Sequence, residues 1–144
     1  MNKKGFTLIE LLAVIVILAI IALIATPTIL GVIETARQGA AKSSALGYID
    51  AVEKQIAIDM VAGTTVIDYA DDNTITVGTD DTGLTLKGEA PTAGTVTIDA
   101  TKGIISKAAL KVEMNSKEYC VQYANSNVTS VTAMGEDATC ELAA

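Results

Sequence analysis

Residues 6–25, FTLIELLAVIVILAIIALIA, restrict this chain more than any other stretch. About twenty nearly unbroken Leu, Ile, Val and Ala residues at 1.5 Å rise make a helix of ~30 Å, the thickness of a bilayer's hydrocarbon core. If the helix continues to Ala62 without bending it reaches ~85 Å, too long for a compact globule of 144 residues. A short basic leader, Met1-Asn2-Lys3-Lys4-Gly5, stands in front of the run, and a carboxylate, Glu10, stands inside it.

A secretory signal peptide places 7–15 apolar residues before a small-residue cleavage site. Here the apolar run is longer, and the small residue at the polar-to-apolar junction is Gly5. Cleavage there leaves the apolar segment on the mature protein. A charge inside a membrane helix costs about 2.5–3.5 kcal/mol on insertion scales, so Glu10 needs a partner or a function. After Lys4 the next basic residue is Arg37. The nearest cation that processing creates is the new α-amine of Phe6.

The stretch KKGFTLIELL resembles the class III leader junction of type IV pilins and of type II secretion and competence pseudopilins, with Gly5, Phe6, Thr7 and Glu10 in that family's register. The resemblance covers Lys3 to about Pro27. It implies that a prepilin peptidase cuts between Gly5 and Phe6 and methylates the new terminus, and that Glu10 neutralises the terminal amine of a neighbouring subunit during assembly. It further implies a filament built as a homo-oligomer, with an assembly ATPase, an inner-membrane platform protein and other minor pilins as partners. Pro27 matches a helix-bending proline of the family, near which part of the helix is unwound in filaments.

Charge is uneven: lysines and glutamates cancel up to Glu34, so the net −7 lies beyond it. With pI about 4.4, the exterior gives no clear nucleic-acid surface, since that affinity comes chiefly from Lys and Arg. The absence of histidine removes Ser-His-Asp, Cys-His and histidine-liganded metal chemistry. No phosphate loop or metal-ligand cluster is spelled either, so the expectation is a non-enzyme without cofactor. In an exported chain Cys120 and Cys140 read as a structural disulfide, with a reactive or intermolecular thiol pair as the alternative.

The expected architecture is α+β. Residues 1–5 form the leader and 6–27 a membrane or filament-core helix, kinked or locally broken near Pro27. Residues 28–62 form its amphipathic half, and 63–144 a β-sheet head with a C-terminal disulfide. Lys3 and Lys4 keep the N-terminus cytoplasmic under the positive-inside rule. Ala45, Ile49, Val52, Ile56 and Met60 recur at helical spacing and should cover a sheet, leaving Arg37, Lys42, Asp50, Glu53, Lys54 and Asp59 on the surface. Gly31, Gly39 and Gly47 either permit close helix approach or are simply tolerated.

Beyond Gly63, residues 64–69, 74–77 and 84–86 are short candidate strands between acidic turns. Asp68, Asp71, Asp72, Asp80 and Asp81 invite a calcium reading, but their spacing fits no EF-hand loop and such residues suit turns. Clearer alternation marks strands at 95–99, 104–114, 117–124 and 128–134, joined by short turns into an antiparallel meander. Ala108, Leu110, Val112 and Met114 share one face, and Tyr119, Val121 and Tyr123 another, with Cys120 opposite. Asn127-Val128-Thr129 spells a glycosylation sequon, for which a bacterial-looking leader gives little use.

The function expected from this reading is a pilus subunit, membrane-anchored before assembly and extracellular after it. A pseudopilin of a competence or type II secretion system is the alternative, and a singly anchored surface protein that keeps its leader is a third.

Overall fold

The computed structural model describes residues 5–64, 66–67, 73–79, 83–86, 88–99, 101–135 and 138–141. It contains one helix, α1 (Leu8–Ala62), followed by β1 (Thr74–Thr76), β2 (Ala93–Asp99), β3 (Ile104–Met114), β4 (Lys117–Ala124) and β5 (Asn127–Ala133). The strands form one sheet in the order β1-β2-β3-β4-β5, every neighbouring pair antiparallel. An α+β fold results, with helix packed on sheet. The chain divides into two compact units, Met1–Ala36 and Arg37–Ala144.

In the first unit the apolar side chains are uncovered among the described residues. All described side chains from Phe6 to Ile24 are exposed. α1 is long and apolar enough to cross a membrane. Pro27 lies inside the helix, which is helical on both sides of it, so the proline does not end the element. A proline supplies no N–H to the carbonyl four residues back. One residue earlier the Thr26 hydroxyl donates to the Ala22 carbonyl at 2.7 Å, and further on Thr35 does the same to Gly31 at 3.0 Å.

The second unit has its own core. Ala41, Ala45, Tyr48, Ile49, Val52 and Ile56 of α1 pack against Ile75, Val96, Ile98, Ile105, Ala108, Leu110, Val112, Tyr119, Val121 and Tyr123 of the sheet. Each large side chain so buried contributes about 1.5–3 kcal/mol relative to exposure. Two helix assignments from the periodicity are corrected. Met60 is exposed, and Asp59, read as a surface carboxylate, is buried at 7% relative accessibility.

Asp59 is buried because it ends the helix. Its Oδ1 accepts from Gln55 Nε2 and Thr64 Oγ1, each at 2.9 Å, and its Oδ2 from the main-chain N–H groups of Val66 and Ile67 at 3.0 and 3.2 Å. Gly63, at φ 67°, makes the left-handed turn that brings those groups round. Burial opposes the charged form, but these four donors outweigh it and hold the Asp59 carboxyl below its ordinary value. A depressed folded-state value stabilises the fold above the unfolded value and loses that contribution as the pH falls through the folded one. We therefore expect the head to lose stability as the pH drops below about 3.8. Asp59→Asn should lower Tm at neutral pH and flatten that acid limb, as thermal melts across pH 2–7 will show.

In the sheet, β3 and β4 fall where alternation placed them, and two hairpins close on two-residue turns. Asn115-Ser116 (φ 51° and 62°) and Asn125-Ser126 (φ 52° and 61°) both carry positive φ at each position, the pattern of type I′ turns. Asn127 pairs with Ala124 and so begins β5 rather than closing the turn. Two bulges interrupt the ladders, leaving Ser106 of β3 and Thr129 of β5 without a register partner. Each spare residue donates its hydroxyl to the carbonyl beside the bulge, Ser106 to Thr97 at 3.0 Å and Thr129 to Gln122 at 3.1 Å. The first bulge shifts the phase of β3 so that Ile105 turns inward, and Glu53 of α1 accepts from the Ile105 N–H at 3.0 Å.

Of the weaker strand candidates, 74–77 is β1, one residue shorter. Residues 84–86 are not a strand; Leu84 and Leu86 pack against the core from outside the sheet. The described part of 64–69 is not strand either, and its remainder, with Asp68, Asp71, Asp72, Asp80 and Asp81, lies outside the described residues.

Candidate functional site

The segment with chemistry to explain is the start of α1. Thr7 caps the helix: its hydroxyl accepts from the Glu10 N–H at 3.4 Å, and its carbonyl from Glu10 and Leu11 at 3.1 and 3.2 Å. Glu10 answers by accepting, at Oε2, from the Thr7 N–H at 2.9 Å and the Thr7 hydroxyl at 2.7 Å. This reciprocal arrangement is a capping box, spelled Thr7-Leu8-Ile9-Glu10. It satisfies otherwise orphaned donors at the helix start and places the carboxylate where the helix dipole favours negative charge.

The spelling was available in the sequence, but reading Glu10 only as a charge in search of a cation passes over Thr7. Within one subunit Glu10 thus has hydrogen-bond partners without any cation. Gly5 and Phe6 precede the helix, Phe6 87% exposed, so the expected cleavage junction is a non-helical, accessible stretch. Pro27 is more than four turns beyond the capping box, and the structure does not bring it to Glu10.

A second feature belongs to the head. Cys120 and Cys140 are joined by a disulfide with Cα atoms 5.3 Å apart. Cys120 and Gln122 alternate with the inward Tyr119, Val121 and Tyr123, so they face away from α1. Gln122 Nε2 donates to the Glu141 carbonyl at 2.7 Å; residues 140–141 therefore lie on the outer face of β4. The loop closed by a separation of 20 residues corresponds to about 3 kcal/mol of stabilisation on the chain-entropy estimate. Replacing both cysteines by serine should lower unfolding stability by that amount, measured by denaturant titration beside the oxidised wild type.

Among the described residues no group of three or more His, Cys, Asp or Glu is placed to hold a metal ion.

Residues 1–26 match the family described as the prokaryotic N-terminal methylation motif. No curated protein and no solved structure matches the chain. The motif, on a helix whose described apolar side chains are exposed from Phe6 to Ile24, supports a type IV pilin-like or pseudopilin protein and points to a structural subunit.

Proposed function

We propose that this chain is the structural subunit of a type IV pilus filament. The observation that carries the proposal is the methylation motif at residues 1–26 running into a helix whose apolar side chains are exposed from Phe6 to Ile24. Prepilin peptidase removes residues 1–5 by cutting after Gly5, and Phe6 becomes the methylated N-terminus. Before assembly the chain crosses the cell membrane once with its N-terminus cytoplasmic, solvated by lipid.

The fourteen large apolar side chains from Phe6 to Ile24, at about 1.5–3 kcal/mol each, hold the segment in lipid until an equally apolar environment receives it. Copies of the same helix supply that environment. As the family resemblance implies, an assembly ATPase and an inner-membrane platform protein drive the transfer, other minor pilins complete the fibre, and the filament ends outside the cell. Glu10 pairs with the Phe6 amine of a neighbour, since a charge is tolerated in a dry bundle only when paired, and Pro27 gives the helix a joint.

Electron microscopy of cells with and without the gene tests this reading. Filaments on the wild-type surface should disappear on deletion and return on complementation. Unchanged filaments in the deletion strain contradict it.

A further inference from the structure

The sheet ends on β1 at one side and on β5 at the other. A bare edge recruits another strand, so edges are commonly blunted by shortness, lysine, proline, a bulge or a cover. β1 is only three residues long. β5 has seven, reads NVTSVTA and carries neither charge nor proline, in a chain of net charge −7. Its bulge falls at Thr129, so Ser130 to Ala133 runs in regular register beside β4.

Met134 donates its N–H to the Glu118 carbonyl at 2.8 Å, and bonded and non-bonded pairs alternate along an antiparallel ladder. Thr132 is therefore bonded to Cys120, while Val131 and Ala133, opposite Val121 and Tyr119, turn their N–H and C=O groups away from β4. Among the described residues nothing bonds to those groups. The tail that follows is drawn off this edge, Cys140 to Cys120 and Glu141 to Gln122, both on β4.

We infer that the open edge of β5 pairs antiparallel with β5 of a second copy. A strand that completes it must be extended, uncharged and itself open along one side, and β5 meets all three conditions. The register that uses both outward residues sets Val131 of each copy against Ala133 of the other. Each such pair exchanges two main-chain bonds, about four in all, and Thr132 meets Thr132 across the two-fold axis, with Cβ atoms ~5 Å apart. Successive copies in one filament are related head to tail and not by a two-fold. The contact therefore joins subunits of neighbouring filaments side by side. The inference rests on the filament reading and adds to it a surface for lateral association.

Filaments of the full-length protein sheared from cells are the test material. Wild-type filaments should pellet at low speed as bundles. Thr132→Glu sets like charges opposite each other, and Ala133→Pro removes an outward N–H that the subunit does not use. Both variants should keep the wild-type melt and filament yield, yet leave at least tenfold more filament in the supernatant. Ala57→Glu, which adds the same charge at an exposed position of α1, should pellet like wild type. Wild-type filaments that stay single, edge variants that pellet normally, or equal loss in Ala57→Glu overturn the edge assignment. A benzophenone amino acid at Thr132 should crosslink to residues 127–134 of another copy; crosslinks elsewhere, or none, overturn it too. A strain without filaments contradicts the pilus reading alone, and the crosslink, read then on the membrane-bound chain, still decides the edge.

Discussion

Glu10→Ala should leave the chain inserted in the membrane and cleaved after Gly5, and should all but abolish filaments. Insertion does not suffer, because removing a carboxylate from an apolar segment relieves a cost of about 2.5–3.5 kcal/mol. Assembly does, because an amine left unpaired in a dry interface costs about 3–5 kcal/mol, a factor of roughly 10²–10⁴ in affinity at each contact. Sheared-fraction immunoblots should therefore fall at least a hundredfold while the membrane-bound pool is unchanged.

A second substitution separates two roles for the same side chain. In Glu10→Gln the amide oxygen can still accept from the Thr7 N–H, as the carboxylate does at 2.9 Å, but it carries no charge. If Glu10 acts by pairing with the neighbour's amine, the glutamine variant fails like alanine. Filaments restored by glutamine would instead assign Glu10 to helix capping alone.

Gly94→Ala should be the most damaging single-methyl change in the head. Gly94 has φ 141°, and a Cβ built on it would lie 2.3 Å from the Ala109 carbonyl oxygen and 2.9 Å from the Leu110 Cα. Both obstacles are main chain of β3, to which β2 is paired, so no rotamer change relieves them. The Gly94 carbonyl also accepts from the Val77 N–H at 3.0 Å, which ties the end of β1 to β2, so a shift spreads to the sheet edge. Left-handed strain and overpacking each cost about 1–3 kcal/mol. Their sum of about 3 kcal/mol or more lowers Tm by roughly 10–20 °C in a domain of this size.

Gly47→Ala gives the opposite sign, a gain of up to ~1 kcal/mol in an open helix position. Melts of the full chain in detergent, followed through the near-ultraviolet signal of buried Tyr48, Tyr119 and Tyr123, compare the two directly.

The long apolar helix and the hairpins were legible because each rests on local chemistry. Residues 6–25 announce themselves by composition alone, and β4 and the 108–114 part of β3 by alternation between turn residues, even with Asn-Ser in place of the stronger Asn-Gly. The sheet's outer details depend on partners remote in sequence. Nothing local says that Ser106 or Thr129 will be extruded as a bulge, so Ile105 could not be assigned inward. Asp59 looks like any helical surface acid until the chain turns at Gly63 and presents three donors, from Thr64, Val66 and Ile67, beside the one from Gln55. Leu84 and Leu86 alternate like a strand but cover the core from outside the sheet. In the N-terminal segment, Gly5, Phe6 and Glu10 stand out by charge and size. Thr7 is a small polar residue whose importance shows only when its hydroxyl is seen between the Glu10 amide and carboxylate.

The mass of the subunit in filaments sheared from living cells bears most directly on the whole account. Polymerisation of a trimmed chain through its apolar helix predicts a polypeptide that begins at Phe6, carries one methyl group on its amine and retains the Cys120–Cys140 bond. Subunits still carrying Met1-Asn2-Lys3-Lys4-Gly5, or filaments that lack this polypeptide, would contradict it.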